Sequence, residues 1–358
     1  MLFEVGVEQR STVLTAEQLA VIWQRVLHRT DIRLNENFFA LGGNPMLALE
    51  IFVEISKMTG REVSPLTIYQ APTIELLAAT LEKTTFEFPT LVQLREGSGG
   101  MPVFVTHGLN GSLMEVFNLV DGLSPEYPVY GLQLRGFDGG EEPFSRVEDA
   151  AQCFLEKIRE IRPTGPFALI GYSFGGLVMF EVARRIVADG MPVAMLAMVE
   201  AYPYRTFLPL AQRFLFFGRM VQRHVRKLIQ LPWRRKFAYL KSGSERWLTF
   251  AEDGLMIGPP ESGIATGSAR QRYGDATKEA LMAYRPGYYP GKIKFVQAEQ
   301  VTTLFPHNAK AVWRDFAAEI EVKTVPGDHF GIVTKHHREL SAVLGQYLTQ
   351  AVTEGPRR

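Results

Sequence analysis

From Leu91 onward, short apolar runs alternate with amphipathic runs of helical period, and no other feature of the chain restricts its fold so strongly. The strand-type runs are Leu91–Arg95, Pro102–Thr106, Val129–Leu134, Phe167–Tyr172, Pro192–Val199, Ile293–Ala298 and Glu319–Val325. Between them lie helical patterns near 112–122, 147–161, 174–189 and 308–318, and a last one covers 337–352. Parallel strands must be joined by a crossover, usually a helix, so this rhythm predicts a mostly parallel sheet with helices on both faces. One connection breaks it. Roughly ninety residues, Ala201 to Pro290, separate two successive strands, far beyond ordinary loop length, and are expected to form an inserted element.

Residues 15–83 read differently. Leu19, Ile22, Trp23 and Val26 make one helix face, opened by Thr15 with Glu17 in the first turn. A second helix follows Gly42-Gly43-Asn44-Pro45, with Met46, Leu49, Phe52, Val53 and Ile55 as its apolar side. A third begins near Thr73 and uses Ile74, Leu77 and Leu81. With no strand pattern between them, these predict a small all-α bundle. Thr84–Thr90 is short, contains a proline and lacks helical period, so the domain boundary is expected there.

The length of 358 residues suits two or three domains, and 46% hydrophobic residues exclude wholesale disorder. A formal net charge of +1 gives no whole-chain reason to expect nucleic acid or an anionic membrane as partner. The single cysteine, Cys153, cannot form an intramolecular disulfide, and no Cys/His spacing suggests a metal site. Residues 1–10 lack a basic segment followed by an apolar one, and no apolar run is long enough to span a bilayer, so a cytoplasmic protein is expected.

The strongest chemical signal is Gly171-Tyr172-Ser173-Phe174-Gly175, between an apolar strand and a helix pattern. Those are the flanks a G-x-S-x-G nucleophile elbow requires: small residues allow the tight turn, and Ser173 stands at its apex. A serine hydroxyl needs a base. His329, in Val325-Pro326-Gly327-Asp328-His329-Phe330 directly after the last strand, fits the order serine, acid, histidine. His336 and His337 are expected in solvent, and His307 is a weak competitor. The acid should hold the distal imidazole nitrogen. Glu200 follows one strand and Glu299 the next, with Asp328 third because neighbouring side chains diverge, and residue pattern leaves the first two open. The oxyanion donors expected are the Phe174 N–H and, from the loop Thr106-His107-Gly108-Leu109-Asn110-Gly111, the Leu109 N–H. His107 is expected to brace that loop.

Two resemblances cover nearly the whole chain. Residues 12–84, with Asn37-Phe38-Phe39-Ala40-Leu41-Gly42-Gly43-Asn44-Pro45-Met46, resemble a peptidyl or acyl carrier domain. Residues 100–353, with PVFVTHG, VYGLQLRG, GYSFGG and GDHF in order, resemble the type I thioesterase that terminates nonribosomal peptide and polyketide synthases. Residues 85–99 serve as linker and first strand. The resemblance implies a four-helix carrier bundle followed by an α/β-hydrolase domain whose helical lid occupies about 201–290. It favours Glu200 over Glu299, although the family more usually has Asp there. It also implies a cycle: a chain arrives as a thioester on a carrier's 4′-phosphopantetheine arm, passes to Ser173, and leaves by hydrolysis or cyclisation. Upstream synthase modules or carriers are the implied partners. The carrier half departs from its family at the attachment serine, where this chain has Pro45. Proline has no hydroxyl, so phosphopantetheine cannot be attached there, and no cofactor is expected on this chain. Asn44 as N-cap with Pro45 at the first helical position remains compatible with the fold.

Within the insertion, Tyr204–Arg246 carries eleven Lys+Arg against the single acid Glu245. Leu210, Phe214, Phe217, Val221, Val225 and Leu228 recur at helical spacing, and Pro232 should end that helix. The apolar face is expected to cover the acyl channel. The charge fits a solvated surface, a docking face for an acidic carrier or a membrane-surface helix. Residues 1–85 hold seven basic and ten acidic residues, so the near-neutral total is a cancellation between an acidic carrier and a basic lid. A general carboxylesterase would share the triad, and a non-catalytic scaffold with a pseudo-carrier would need none.

Overall fold

The computed structural model describes residues 14–60, 67–83, 89–109, 111–136, 140–230, 267–300 and 308–355, with 63, 65, 232, 233 and 306 singly. Residues 84–88 of the expected boundary, Asn110 of the expected oxyanion loop, residues 231 and 234–266 of the insertion, and His307 lie outside the described residues.

Helices come first. Residues Ala16–Leu27 (α1), Pro45–Thr59 (α2), Thr67–Gln70 (α3) and Ile74–Leu81 (α4) enclose a core built on Leu19, Trp23, Phe38, Ile51, Ile55, Ile68 and Leu77. The entry to α1 is a capping box in which Thr15 and Gln18 each satisfy the other's backbone N–H, an arrangement contributing about 1 kcal/mol. Three helices of ordinary length were expected, and the fourth, α3, is a single turn.

Seven strands follow: Leu91–Arg95 (β1), Val103–Thr106 (β2), Val129–Leu132 (β3), Phe167–Tyr172 (β4), Val193–Val199 (β5), Tyr289–Ala298 (β6) and Ala317–Val325 (β7). They form one sheet in the order β1-β3-β2-β4-β5-β6-β7. All pairs are parallel except β1 with β3. Helices Met114–Asp121 (α5), Val147–Ile161 (α6) and Phe174–Ala188 (α7) join the central strands, followed in the chain by Leu210–Gln230 (α8) and Gly267–Ala283 (α9). Ala309–Trp313 (α10), Gly331–Thr334 (α11) and His337–Glu354 (α12) complete the α-helices among the described residues. One face of the sheet packs on α6 and α7 through Phe104, Phe154, Leu169, Val178 and Phe180, and the other on α5 and α12 through Val105, Val116, Ile170, Leu344 and Tyr347. β4 is buried along its whole length, as the centre of such a sheet demands.

The helical unit touches the sheet unit through α3: Tyr69 packs on the α5 side of the core, its ring 5.5 Å from that of Phe117. Helix α8 is amphipathic, but its apolar series is exposed, Phe214 at 75% and Leu210 at 68%. It ends at Gln230, two residues before Pro232. Among the described residues no helix is long and apolar enough to cross a membrane, and no cluster of three or more His, Cys, Asp or Glu is placed to hold a metal ion.

Candidate active site

The turn from β4 into α7 is tight because glycine flanks it. A Cβ on Gly171 would lie 2.5 Å from Gly176 Cα, and one on Gly175 would lie 2.2 Å from the His107 carbonyl oxygen. Ser173 takes the strained apex with φ 53° and ψ −121°, a conformation that non-glycine residues hold at a cost of about 1–3 kcal/mol. Its N–H donates to Val199 O (2.8 Å), tying the apex to the end of β5.

Glu200 follows immediately, itself left-handed at φ 50°. Its N–H donates to Val296 O (2.9 Å), and its Oε1 accepts from the Ala298 N–H (2.8 Å), so β6 fixes both backbone and carboxylate. The remaining oxygen, Oε2, lies 3.3 Å from His329 Nδ1, and His329 Nε2 lies 3.0 Å from Ser173 Oγ. Both Glu200 and His329 are buried. A carboxylate can only accept, so Nδ1 carries the proton and Nε2 presents its lone pair to the serine hydroxyl. The three side chains come from the carboxyl ends of β4, β5 and β7, where parallel sheets place their sites.

Other expected residues fall elsewhere. Glu299 is exposed, and its N–H extends the β6–β7 ladder to Val325 O (2.9 Å). Asp328 accepts the Gly331 N–H (2.7 Å) and so shapes the start of α11. His336 stands 3.5 Å from Glu339 Oε1, and His337 contacts Thr334 O at 2.8 Å. Phe174 is the first residue of α7, where helix geometry leaves its N–H without an intrahelical acceptor. The loop holding Leu109 lies against that first turn through the His107 carbonyl. Pro45 occupies the first turn of α2, and Asn44 Oδ1 accepts from the Met46 and Leu47 N–H groups (3.0 and 3.1 Å).

Two contributors had no signal in the pattern. The Tyr172 hydroxyl donates to His329 O (2.9 Å), clipping the histidine loop to the end of the strand that precedes Ser173. Burial pushes that phenol well above its ordinary pKa, so it remains a donor. Trp313 Nε1–H donates to Ala201 O (3.0 Å), holding the segment just after Glu200.

His107 is fully buried, and burial lowers its pKa to about 4. Unfolding returns it to the ordinary value near 6.5, so between about 4 and 6.5 the unfolded chain binds the extra proton. This residue therefore supports stability fully above pH 6.5 and loses that support as pH falls toward 4, a difference of about 3 kcal/mol. Urea midpoints at pH 7 and pH 4.5 should show this acid loss, and a His107→Gln variant should show less of it.

The fold is of the thioesterase-type α/β class. The comparisons carry this further: residues 101–209 match the thioesterase domain family and residues 17–81 the phosphopantetheine attachment site family. A carrier-type domain followed by a thioesterase-type domain is what this chain contains. It is 33% identical to a dimodular nonribosomal peptide synthase of Bacillus subtilis (strain 168) over 198 residues, covering 55% of this chain and 8% of that protein. It is 34% identical to indigoidine synthase of Dickeya dadantii (strain 3937) over 174 residues, covering 48% of this chain and 12% of that protein. The chain thus spans a small part of the length of these relatives. Its fold resembles a holo four-domain nonribosomal peptide synthetase bound to AMP and glycine, with TM-score 0.57, 20% identity, 97% of this chain and 27% of that one. It also resembles the type II thioesterase of the borrelidin cluster, with TM-score 0.52, 18% identity, 74% of this chain and all of that one.

Proposed function

We propose that the chain releases an acyl or peptidyl group held as a thioester on the phosphopantetheine arm of a carrier, through an ester on Ser173, in nonribosomal peptide or polyketide synthesis. The observation that carries this reading is the hydrogen-bonded series Ser173–His329–Glu200 inside a thioesterase domain preceded by a carrier-type domain. His329 Nε2 takes the Oγ proton as Oγ attacks the thioester carbonyl, and the Phe174 and Leu109 N–H groups receive the oxyanion. Collapse breaks the C–S bond, and His329 returns the proton to the leaving thiolate. Water, or a nucleophile within the bound group, then attacks the Ser173 ester with His329 again as base. Glu200 holds the imidazole in the tautomer that both steps need and stabilises the cation that forms. Helix α8 serves as the lid, and its exposed apolar side chains suit an acyl chain as occupant. A fluorophosphonate probe should label folded protein at Ser173, and acyl-pantetheine thioesters should be turned over faster than simple esters. An unlabelled Ser173 favours the scaffold reading; a preference for simple esters favours a general carboxylesterase.

The carrier-type domain does not fit the group its family carries. Pro45 offers no hydroxyl for a phosphodiester, so the loaded arm comes from a carrier other than residues 14–83. Treatment with a phosphopantetheinyl transferase and coenzyme A should leave residues 42–50 unchanged in mass. Pro45→Ser keeps the Asn44 cap and should gain one phosphopantetheinyl group. That gain on the unsubstituted chain would overturn the assignment.

A further inference from the structure

Gly108 lies between two peptide planes, and each is held by one side chain. Its N–H donates to Glu115 Oε2 (2.9 Å), reached from the first turn of α5. Its carbonyl accepts from His107 Nδ1 (2.7 Å). The ring's other nitrogen, Nε2, accepts the Leu134 N–H (3.2 Å). Since a carbonyl can only accept and an N–H only donate, both partners demand the same neutral tautomer, with the proton on Nδ1. No side chain could stand at 108 in comfort, because a Cβ there would lie 3.1 Å from both Glu115 Oε2 and Tyr172 Cε1.

In a planar trans peptide the C=O and the next N–H point in opposite directions. Holding Gly108 O on His107 therefore aims the Leu109 N–H the other way. Holding Gly108 N–H on Glu115 likewise aims the His107 carbonyl away from Glu115, and that carbonyl lies against Gly175 in the first turn of α7. Two dihedral freedoms beside a glycine, the residue least able to hold its own conformation, are thus removed by two buried or half-buried side chains.

We propose that Glu115 and His107 are positioning residues for the oxyanion site, acting together on the peptides either side of Gly108 to preset the direction of the Leu109 N–H. Neither touches the reacting atoms. The inference rests on the reading of Leu109 as an oxyanion donor. Such donors act mainly on the transition state, so losing their alignment lowers kcat and leaves KM nearly unchanged.

The test uses Glu115→Ala and Glu115→Gln in the full chain, assayed on an acyl-pantetheine thioester. A trifluoromethyl ketone serves as a tetrahedral oxyanion mimic. Glu115→Gln keeps an acceptor oxygen for the Gly108 N–H and should retain kcat within about threefold. Glu115→Ala should lose about 10–100-fold in kcat with KM within twofold, and its Ki for the ketone should rise in step. His107→Asn should lower kcat likewise, and the double variant should fall short of the product of the two single losses. The proposal is overturned if Glu115→Ala keeps wild-type kcat, if the loss is in KM with ketone affinity unchanged, or if Gln is no better than Ala. If Glu115→Ala fails to fold, the Gln variant and His107→Asn still decide, since wild-type ketone affinity in His107→Asn also overturns it. A wild-type chain that neither labels at Ser173 nor turns over thioester sinks the proposed function itself, and this inference with it.

Discussion

Ser173→Ala should lower kcat toward acyl-pantetheine thioesters by about 10⁴-fold or more, with the fold intact. His329→Ala should fall by a similar factor. The double variant should be scarcely worse than either, because the two groups act as one unit: the hydroxyl is a poor nucleophile without the base 3.0 Å away, and the base has no other substrate proton to take. Residual turnover is what the oxyanion donors and substrate binding supply alone. The backbone makes a second, opposite forecast at the same residue. Ser173 sits at φ 53°, so Ser173→Gly removes strain while deleting the nucleophile and should raise the unfolding free energy by about 1 kcal/mol. Thermal unfolding of Ser173→Ala against Ser173→Gly separates the two effects, since alanine inherits the strain. A Ser173→Ala enzyme retaining more than about a hundredth of wild-type kcat would remove this serine from the mechanism.

The sequence carried a large part of this site and less of the frame around it. All seven strands were legible because their apolar runs are flanked by helical period, yet β6 and β7 begin earlier than expected, at Tyr289 and Ala317. The residues gained carry no strand signal, since Tyr289-Pro290-Gly291-Lys292 contains a proline and a glycine and Ala317-Ala318 is weakly strand-forming, while Lys292 pairs with Glu319 (2.7 Å) and Lys294 with Glu321 (2.6 Å) across the strands. That cross-strand pairing supports strand where the residue types do not announce it. The helical pattern at 308–318 ends at Trp313, because Ala317 is already in β7. The single turn α3 is too short for periodicity, and the antiparallel placement of β1 against β3 depends on contacts 34 or more residues apart in sequence. Ser173 and His329 stood out through motif and chain order. Tyr172 and Glu115 did not, since their partners are backbone groups that no residue type announces.

Glu200→Gln should lower kcat by about 10³–10⁴-fold with little change in KM, while Glu299→Gln stays within about twofold. Glu200 Oε2 now demands a proton on His329 Nδ1, leaving Nε2 bare toward Ser173 Oγ. A glutamine amide can swing its NH₂ to that contact, which stabilises the other tautomer, with Nε2 protonated and unable to accept. The Ala298 N–H already claims one carboxylate oxygen at 2.8 Å. In the glutamine variant the amide oxygen satisfies that N–H best, and this turns the NH₂ group toward His329. Glu299 has no such leverage: it is exposed, and its backbone continues the β6–β7 ladder. Glu200→Asp keeps the charge but shortens the reach of a contact already at 3.3 Å, so a loss intermediate between wild type and glutamine is expected. Fluorophosphonate labelling rates supply a readout independent of product release and should fall in the same order. A Glu200→Gln enzyme within tenfold of wild type, paired with a severe Glu299→Gln defect, would transfer the acid's role to the neighbouring strand.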